Sequence, residues 1–301
     1  MNRTLKLMKK NVALYFFLLP AVLYLFIFNY MPMYGIQIAF RNYNFADGIT
    51  GSAWVGLKWF EFFFSSPMFS VILWNTIALS LYSLIAGFPI PIILALMIHH
   101  TAGKKFKRMV QTASYMPYFI STVVIVGMIS AFFSLNSGFI NTIITSLGGQ
   151  ARFFMGEPGY FRHLFIWSGI WQTMGWGSII YLAALTSISN ELHEAAMIDG
   201  AGIYRRIWHI DLPGIKPTMV ILLILACGGI LGSNFEKVFL MQNNLNLSVS
   251  EVISTYIYKM GLTNMQYSFS AAVGLFNNII NFAILAIVNF ASKKLSENSL
   301  W

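Results

Sequence analysis

Long stretches without any charged or histidine side chain dominate this sequence. Six of them stand out, at 11–40, 62–98, 109–151, 164–190, 217–235 and 260–292. An α-helix rises about 1.5 Å per residue and needs roughly 20 mostly apolar residues to cross a bilayer. Each window reaches about that length, and the longer ones leave residues over for interfaces and loops. The pattern predicts an all-α integral membrane protein with a single transmembrane domain over 1–301. Its six spans fall at about 12–32, 71–98, 110–133, 164–187, 217–235 and 269–291. The gap at 238–250 is also uncharged, but Gln242, Asn243, Asn244 and Asn246 mark it as polar loop. The outer connection from about 234 to 267 reads as a solvated cap, with a docking or solute-guiding surface as the alternative.

Prolines punctuate these spans. Pro20 lies in the first, Pro89 and Pro91 in the second and Pro117 in the third, and each removes a backbone donor and predicts a kink or break. The aromatic run from Trp54 to Phe64 in the first outer loop suggests interfacial anchors. Composition agrees with a membrane protein: 57% of residues are hydrophobic and only 10% charged, with a mean hydropathy of +0.67. A soluble domain carries about 25% charged residues. One cysteine, Cys227, rules out an intrachain disulfide and a cysteine-based metal cluster.

The net charge of +9 would suit a nucleic-acid partner, but its placement argues for orientation instead. Arg3, Lys6, Lys9 and Lys10 precede span 1, and Lys104, Lys105, Lys107 and Arg108 follow span 2. Arg205, Arg206 and Lys216 follow span 4, and Lys293 and Lys294 follow span 6. Thirteen cations thus share one side, against six on the other: Arg41, Lys58, Arg152, Arg162, Lys237 and Lys259. Positive loops face the cytoplasm, so both termini are predicted to be cytoplasmic. The first span carries no evident cleavage site and reads as uncleaved.

Chemistry is sparse. No Gly-x4-Gly-Lys-Ser/Thr occurs, so the chain has no phosphate-binding loop of its own. His99, His100 and His209 look scattered along the inner face, without metal-ligand company. No nucleophile–base pair has convincing spacing, which leaves a membrane-embedded enzyme without a catalytic constellation. The spans do hold uncharged polar and aromatic groups: Trp171 and Gln172 in the fourth, Asn277 and Asn281 in the sixth. Their ordinary role is helix–helix hydrogen bonding. The functional alternative is a path for a polar solute, in which rings stack on sugars and amides meet hydroxyls. No ionisable group lies mid-span, whereas an ion-driven carrier of a small polar solute, the rival reading, usually places such groups near the midplane.

One polar, sharply turned segment interrupts this apolar chain at about 190–213, between spans 4 and 5. Asn190 is a candidate helix cap, with Glu191 and Glu194 near the positive end of that helix. Leu192, Ala195, Ala196 and Asp199 share one face by spacing, and its two alanines admit close approach. Gly200 and Gly202 end the helix, and a second short helix, Ile203 to about Ile210, stops before Pro213 and Pro217. The segment reads as a bracket on the cytoplasmic surface, shaped to fit a partner, with an ordinary loop, helical because membrane spans pin its two ends, as the alternative.

The order Glu194-Ala195-Ala196, Asp199-Gly200-Ala201, then Ile210, Leu212-Pro213 resembles the Glu-Ala-Ala loop of ATP-binding-cassette importer permeases. Tyr181-Leu-Ala-Ala-Leu, Pro217-Thr, the run from Tyr256 to Gly261, Gln266-Tyr267-Ser268 and Ser299-Leu300-Trp301 are similar to carbohydrate-importer permeases. So are Leu19-Pro20 and Asn29-Tyr30-Met31-Pro32. The nearest branch resembles LplB-type oligosaccharide permeases. That resemblance implies a multi-pass subunit in the bacterial cytoplasmic membrane, working with a second homologous permease. It also implies two cytoplasmic ATPases, which bind ATP and Mg, and an extracytoplasmic solute-binding protein. No cofactor is expected in this chain. The segment carrying Glu194, Ala195, Ala196, Asp199, Gly200, Ala201, Leu212 and Pro213 is then the coupling helix that meets the ATPases.

Overall fold

The computed structural model describes residues 10–232 and 234–296. Arg3, Lys6 and Lys9 and the family match at 299–301 lie outside them. The described backbone is mostly helical; the two-residue strands β1 (Arg41–Asn42) and β2 (Ala53–Trp54) form one small antiparallel hairpin. The chain divides into two compact units, one of residues 1–66 and 257–275, the other of residues 67–256 and 276–301.

In the first unit α1 (Val12–Leu25) continues through a π-turn and short helical pieces to Phe40. Its most apolar stretch has no buried residue. After the hairpin comes α2 (Lys58–Ser65), where Phe63 is buried against the equally buried Phe269, their ring centroids 6.1 Å apart. Trp54, Phe62 and Phe64 stay exposed. The aromatic run is therefore divided: one ring builds a core and the others keep the exposure that suits interfacial anchors.

The second unit holds α3 (Pro67–Gly87), α4 (Pro89–His100), α5 (Lys104–Tyr115), α6 (Thr122–Phe132), α7 (Phe139–Ser146) and α8 (Pro158–Thr186). The bracket follows as α9 (Asn190–Ile198) and α10 (Ile203–Arg206), then α11 (Leu212–Gly228), α12 (Phe235–Met241), α13 (Leu247–Ser250) and α14 (Ile253–Tyr258), whose last two residues fall in the first unit. The last helix, α15 (Tyr267–Ser296), supplies residues to both units.

Four helical runs among the described residues are long and apolar enough to cross a membrane: Val12–Phe40, Pro67–His100, Ile203–Gly228 and Tyr267–Lys294. The third expected span is instead a pair, Lys104–Phe119 and Thr122–Phe132, bent by 98°. Pro117 sits at the break, in a 3-10 turn that ends where Ser121 caps α6. The fourth expected span, α8, has ample length at 29 residues, but Gln172, Thr173 and its glycines hold its hydropathy down. At Pro89 and Pro91 the second span is interrupted only at Phe88: Pro89 takes the first position of α4, where no intrahelical donor is required, and Pro67–His100 remains one span. The fifth span departs most from expectation. Its helical run starts at Ile203 and passes Pro213 and Pro217 without stopping, then ends at Gly228 rather than near 235. A π-turn over Ile207–Asp211, closed by the Leu212 N–H on the Ile207 carbonyl, brings the chain to Pro213 in the first turn of α11.

The centre of this unit is α8, which packs against α3, α4, α5, α11, α12 and α13. Phe161, Phe165, Ile166 and Ile170 join Leu79, Ile125, Val126 and Val238 in one core; Tyr181 and Leu185 join Ile92, Ala95, Leu96 and Ile215 in another. The connection at 234–256 is not a solvated cap. Asn246, Ser250, Val252, Ile253 and Thr255 are fully buried. Asn246 explains the fold there: its Nδ2 donates to the Met155 and Met241 carbonyls, and its Oδ1 accepts from Ser250 Oγ at 2.8 Å. Asn75 Nδ2 donates to the Ser248 and Glu251 carbonyls and ties the same segment to α3.

The tightest approach is at Gly175, where a Cβ would overlap the Ser114 carbonyl of α5. Gly175→Val is expected to lower stability by about 1–3 kcal/mol or more. Gly127→Ala in α6, where an added methyl meets nothing within 4 Å, should leave it unchanged. Thermal unfolding of the two variants in detergent checks the difference.

Candidate functional site

Two features of the second unit combine polar chemistry with shape. The first is a cavity of about 530 Å³ beside α8, within the range typical of small-ligand sites. Its polar lining includes Ser80, Ser83, Gln172, Thr173, Asn234 and Lys237. Gln172 donates from Nε2 to the Ile120 carbonyl at 2.9 Å, at the end of the bend after Pro117.

Lys237, which the charge pattern assigns to the outer surface, is only 2% exposed. Asn234 caps α12 by accepting from the Lys237 N–H, and the lysine side chain turns inward onto α8. There its ammonium donates to the Phe165 carbonyl at 2.9 Å and lies 5.1 Å from the centroid of the Phe165 ring. A Cβ on Gly169 would come within 3.2 Å of Nζ, so this glycine makes room for it. Among the described residues no carboxylate pairs with this cation. An ammonium has three donors. Burial lowers its pKa to about 8, which leaves it mainly protonated at neutral pH. Here α12 follows the apolar run Ile203–Gly228 and lies outside it.

The other residues expected along a path lie elsewhere. Trp171 lines a second cavity, of about 440 Å³, with Trp167 and Phe132. Asn281 Oδ1 accepts from the Leu231 N–H at 3.0 Å, so its amide secures the chain just beyond α11. The Asn277 Oδ1 is buried without a hydrogen-bond partner among the described residues.

The second feature is the bracket. Ser189, not Asn190, caps α9, with its hydroxyl accepting from the Glu191 N–H. The helix ends in a Schellman motif: Ala201 N–H on the Ala196 carbonyl and Gly200 N–H on the Met197 carbonyl. Gly200 takes φ +76°, as that motif demands. Glu194, Ala195, Asp199, Gly200 and Pro213 are exposed, while Ala196, Ala201 and Leu212 are half-buried. Leu192, Met197, Ile198, Tyr204 and Trp208 add exposed apolar surface. The bracket's inward face rests on buried His193 and fully buried Asp211.

Those two meet the last residues of α4. His100 Nε2 lies 2.6 Å from Asp211 Oδ2, and His193 Nε2 lies 3.3 Å from Asp211 Oδ1. The His99 ring centroid is 5.1 Å from that of His100 and 6.2 Å from that of His193. His99 and His100 are therefore not scattered, since the fold gathers them with residues 93 to 112 positions away. His209 does remain apart, exposed, with its ring on the Arg205 carbonyl.

Residues 87–297 match the family described as the binding-protein-dependent transport system inner membrane component. The chain belongs to this family. Protein LplB of Bacillus subtilis (strain 168) is 41% identical over 294 residues, covering 98% of this permease and 92% of that protein. YteP of the same organism, a polygalacturonan/rhamnogalacturonan transport system permease protein, is 42% identical over 288 residues, covering 96% and 90%. A solved chain of a bacterial ABC transporter involved in import of the acidic polysaccharide alginate is 37% identical. It superposes with a TM-score of 0.92 over 98% of this permease and 100% of that chain. The same level of match holds for a bacterial alginate ABC transporter in complex with an alginate pentasaccharide-bound periplasmic protein.

The Asn281 contact generates a direct expectation. Asn281→Ala strands the buried Leu231 N–H and should cost about 1–3 kcal/mol of stability. Thermal denaturation of the purified permease complex checks this.

Proposed function

We propose that this permease is one of two membrane subunits of an ATP-driven importer and that its cargo is an acidic oligosaccharide. The buried, carboxylate-free Lys237 in the cavity carries this reading. A cation withdrawn from water and offered one backbone carbonyl favours an anion that arrives and leaves. Hydroxyl, amide and ammonium groups together suit a sugar bearing carboxylates. The named cargoes of the relatives, alginate and polygalacturonan/rhamnogalacturonan, support the acidic class.

In this account α8 is a sixth span beside the four apolar runs and the bent pair. The bracket and both termini face the cytoplasm. Gln172 and Lys237 line the solute path. Two cytoplasmic ATPases, holding ATP and Mg, close on nucleotide and push the exposed face of α9; an external binding protein delivers the sugar. The alginate transporter complex with a periplasmic protein supports that last partner. No cofactor is assigned to this chain.

The cargo test uses the reconstituted importer with its binding protein. It compares uptake of a uronate oligosaccharide with that of a neutral one of equal length. Lys237→Met should lower uronate uptake at least tenfold while sparing the neutral sugar. An equal loss for both would make Lys237 structural, and wild-type refusal of the uronate would overturn the cargo assignment.

Coupling rests on Gly200. An added Cβ there meets nothing within 4 Å, so any penalty comes from φ alone. A β-branched residue in the left-handed region costs about 1–2 kcal/mol or more, whereas Asn tolerates it. Gly200→Val should separate ATP hydrolysis from uptake or weaken ATPase co-purification, while Gly200→Asn should retain both. Normal co-purification, hydrolysis and uptake in Gly200→Val would sink the assignment.

A further inference from the structure

The geometry points to a transition-metal site of the zinc type, formed by His99, His193 and Asp211, where the bracket joins α4. Each residue offers one ligand atom, and these atoms all lie within 4.8 Å of one another. His193 is 8% exposed and Asp211 fully buried. The His99 Nδ1 and His193 Nδ1 are buried and lack a hydrogen-bond partner among the described residues, and His193 Nε2 and Asp211 Oδ1, 3.3 Å apart, have only each other. Buried donors and acceptors are almost always well satisfied, and this cluster holds two ring nitrogens with no partner among the described residues and one long contact, which an ion would complete.

The donor chemistry selects the occupant. Two imidazoles and one carboxylate oxygen suit zinc or its late first-row neighbours, whereas calcium and magnesium prefer oxygen alone. Tetrahedral ligands at about 2.0–2.1 Å from zinc sit roughly 3.4 Å apart, so a modest contraction closes the cluster. His100 already supports the carboxylate: its Nε2 holds Asp211 Oδ2 at 2.6 Å and leaves Oδ1 for the ion, as outer partners of metal ligands do. The ligands come from α4, α9 and the π-turn before α11. A bound ion would pin the bracket to two long helices. The site stands on this chain's own fold and does not depend on which solute the permease carries.

The test uses the complete importer, stripped with chelator, loaded with Zn2+ alone and freed of excess metal by gel filtration. Wild type should keep one more zinc per copy of this chain than His193→Phe or His99→Phe. The exposed His209→Ala should keep the wild-type count. Co2+ in place of zinc should give the intense visible bands of a tetrahedral site in wild type and not in His99→Phe. Equal zinc in wild type and His99→Phe would overturn the site, and so would loss of the ion in His209→Ala. Should His193→Phe fail to assemble, the His99→Phe comparison decides.

Discussion

Close approach to α8 is the constraint on which the second unit depends. This helix lies at the centre of its unit and needs small residues wherever another backbone or a buried charge comes near. Gly175 lets the Ser114 carbonyl of α5 lie against it, Gly177 accepts Pro91 of α4, and Gly169 leaves room for the Lys237 ammonium. Dispersion falls away steeply with a gap, and overlap is repelled, so each glycine both permits and fixes a contact. The same helix closes one side of the cavity through Gln172 and Thr173. Packing and cavity lining therefore share one element, and a change in the tilt of α8 alters both.

The bracket is joined to that framework through buried groups. Asp211 lies in a π-turn, a wider helical turn often found at functional positions, and receives His100 from α4 and His193 from α9. Ile188 fills the space beside Gly214, and Leu212 and Ile207 lie against the core of Ile92, Tyr181 and Ile215. Force applied to the outer face of α9 thus has a short, stiff route into α4, α8 and α11. One face of the segment is thus exposed, and its other face is polar, buried and held by the Asp211 contacts.

Local pattern made part of this legible. Apolar windows located most of the long helices, and the glycine at 200 was readable because a helix end followed by a reversal needs the left-handed region. Pro117 marked the bend in the third span. Other features depended on distant partners. The amide-rich sequence around Asn246 reads as loop until Met155 and Met241 supply its hydrogen-bond acceptors. Lys237 reads as an outer-side charge until the fold lays it on Phe165. His193 and Asp211 lie within the bracket, one flanked by the Glu-Ala-Ala match and the other falling on its variable position. His99 and His100 lie about a hundred residues earlier, so no spacing rule connects them. The continuous helix through Pro213 was hidden because a π-turn has no strong signature in sequence.

The central claim is that the cavity beside α8 is the route taken by the solute. With Cys227 replaced by alanine, single changes Thr173→Cys, in the cavity lining, and Trp171→Cys, in the second cavity, place a reporter thiol in each. The measurement is the rate of modification by a small polar thiol reagent in the reconstituted importer, with and without transported oligosaccharide, binding protein and ATP. The account predicts that turnover with the sugar slows modification at 173 and leaves position 171 unchanged. Protection at 171 with none at 173 would contradict it.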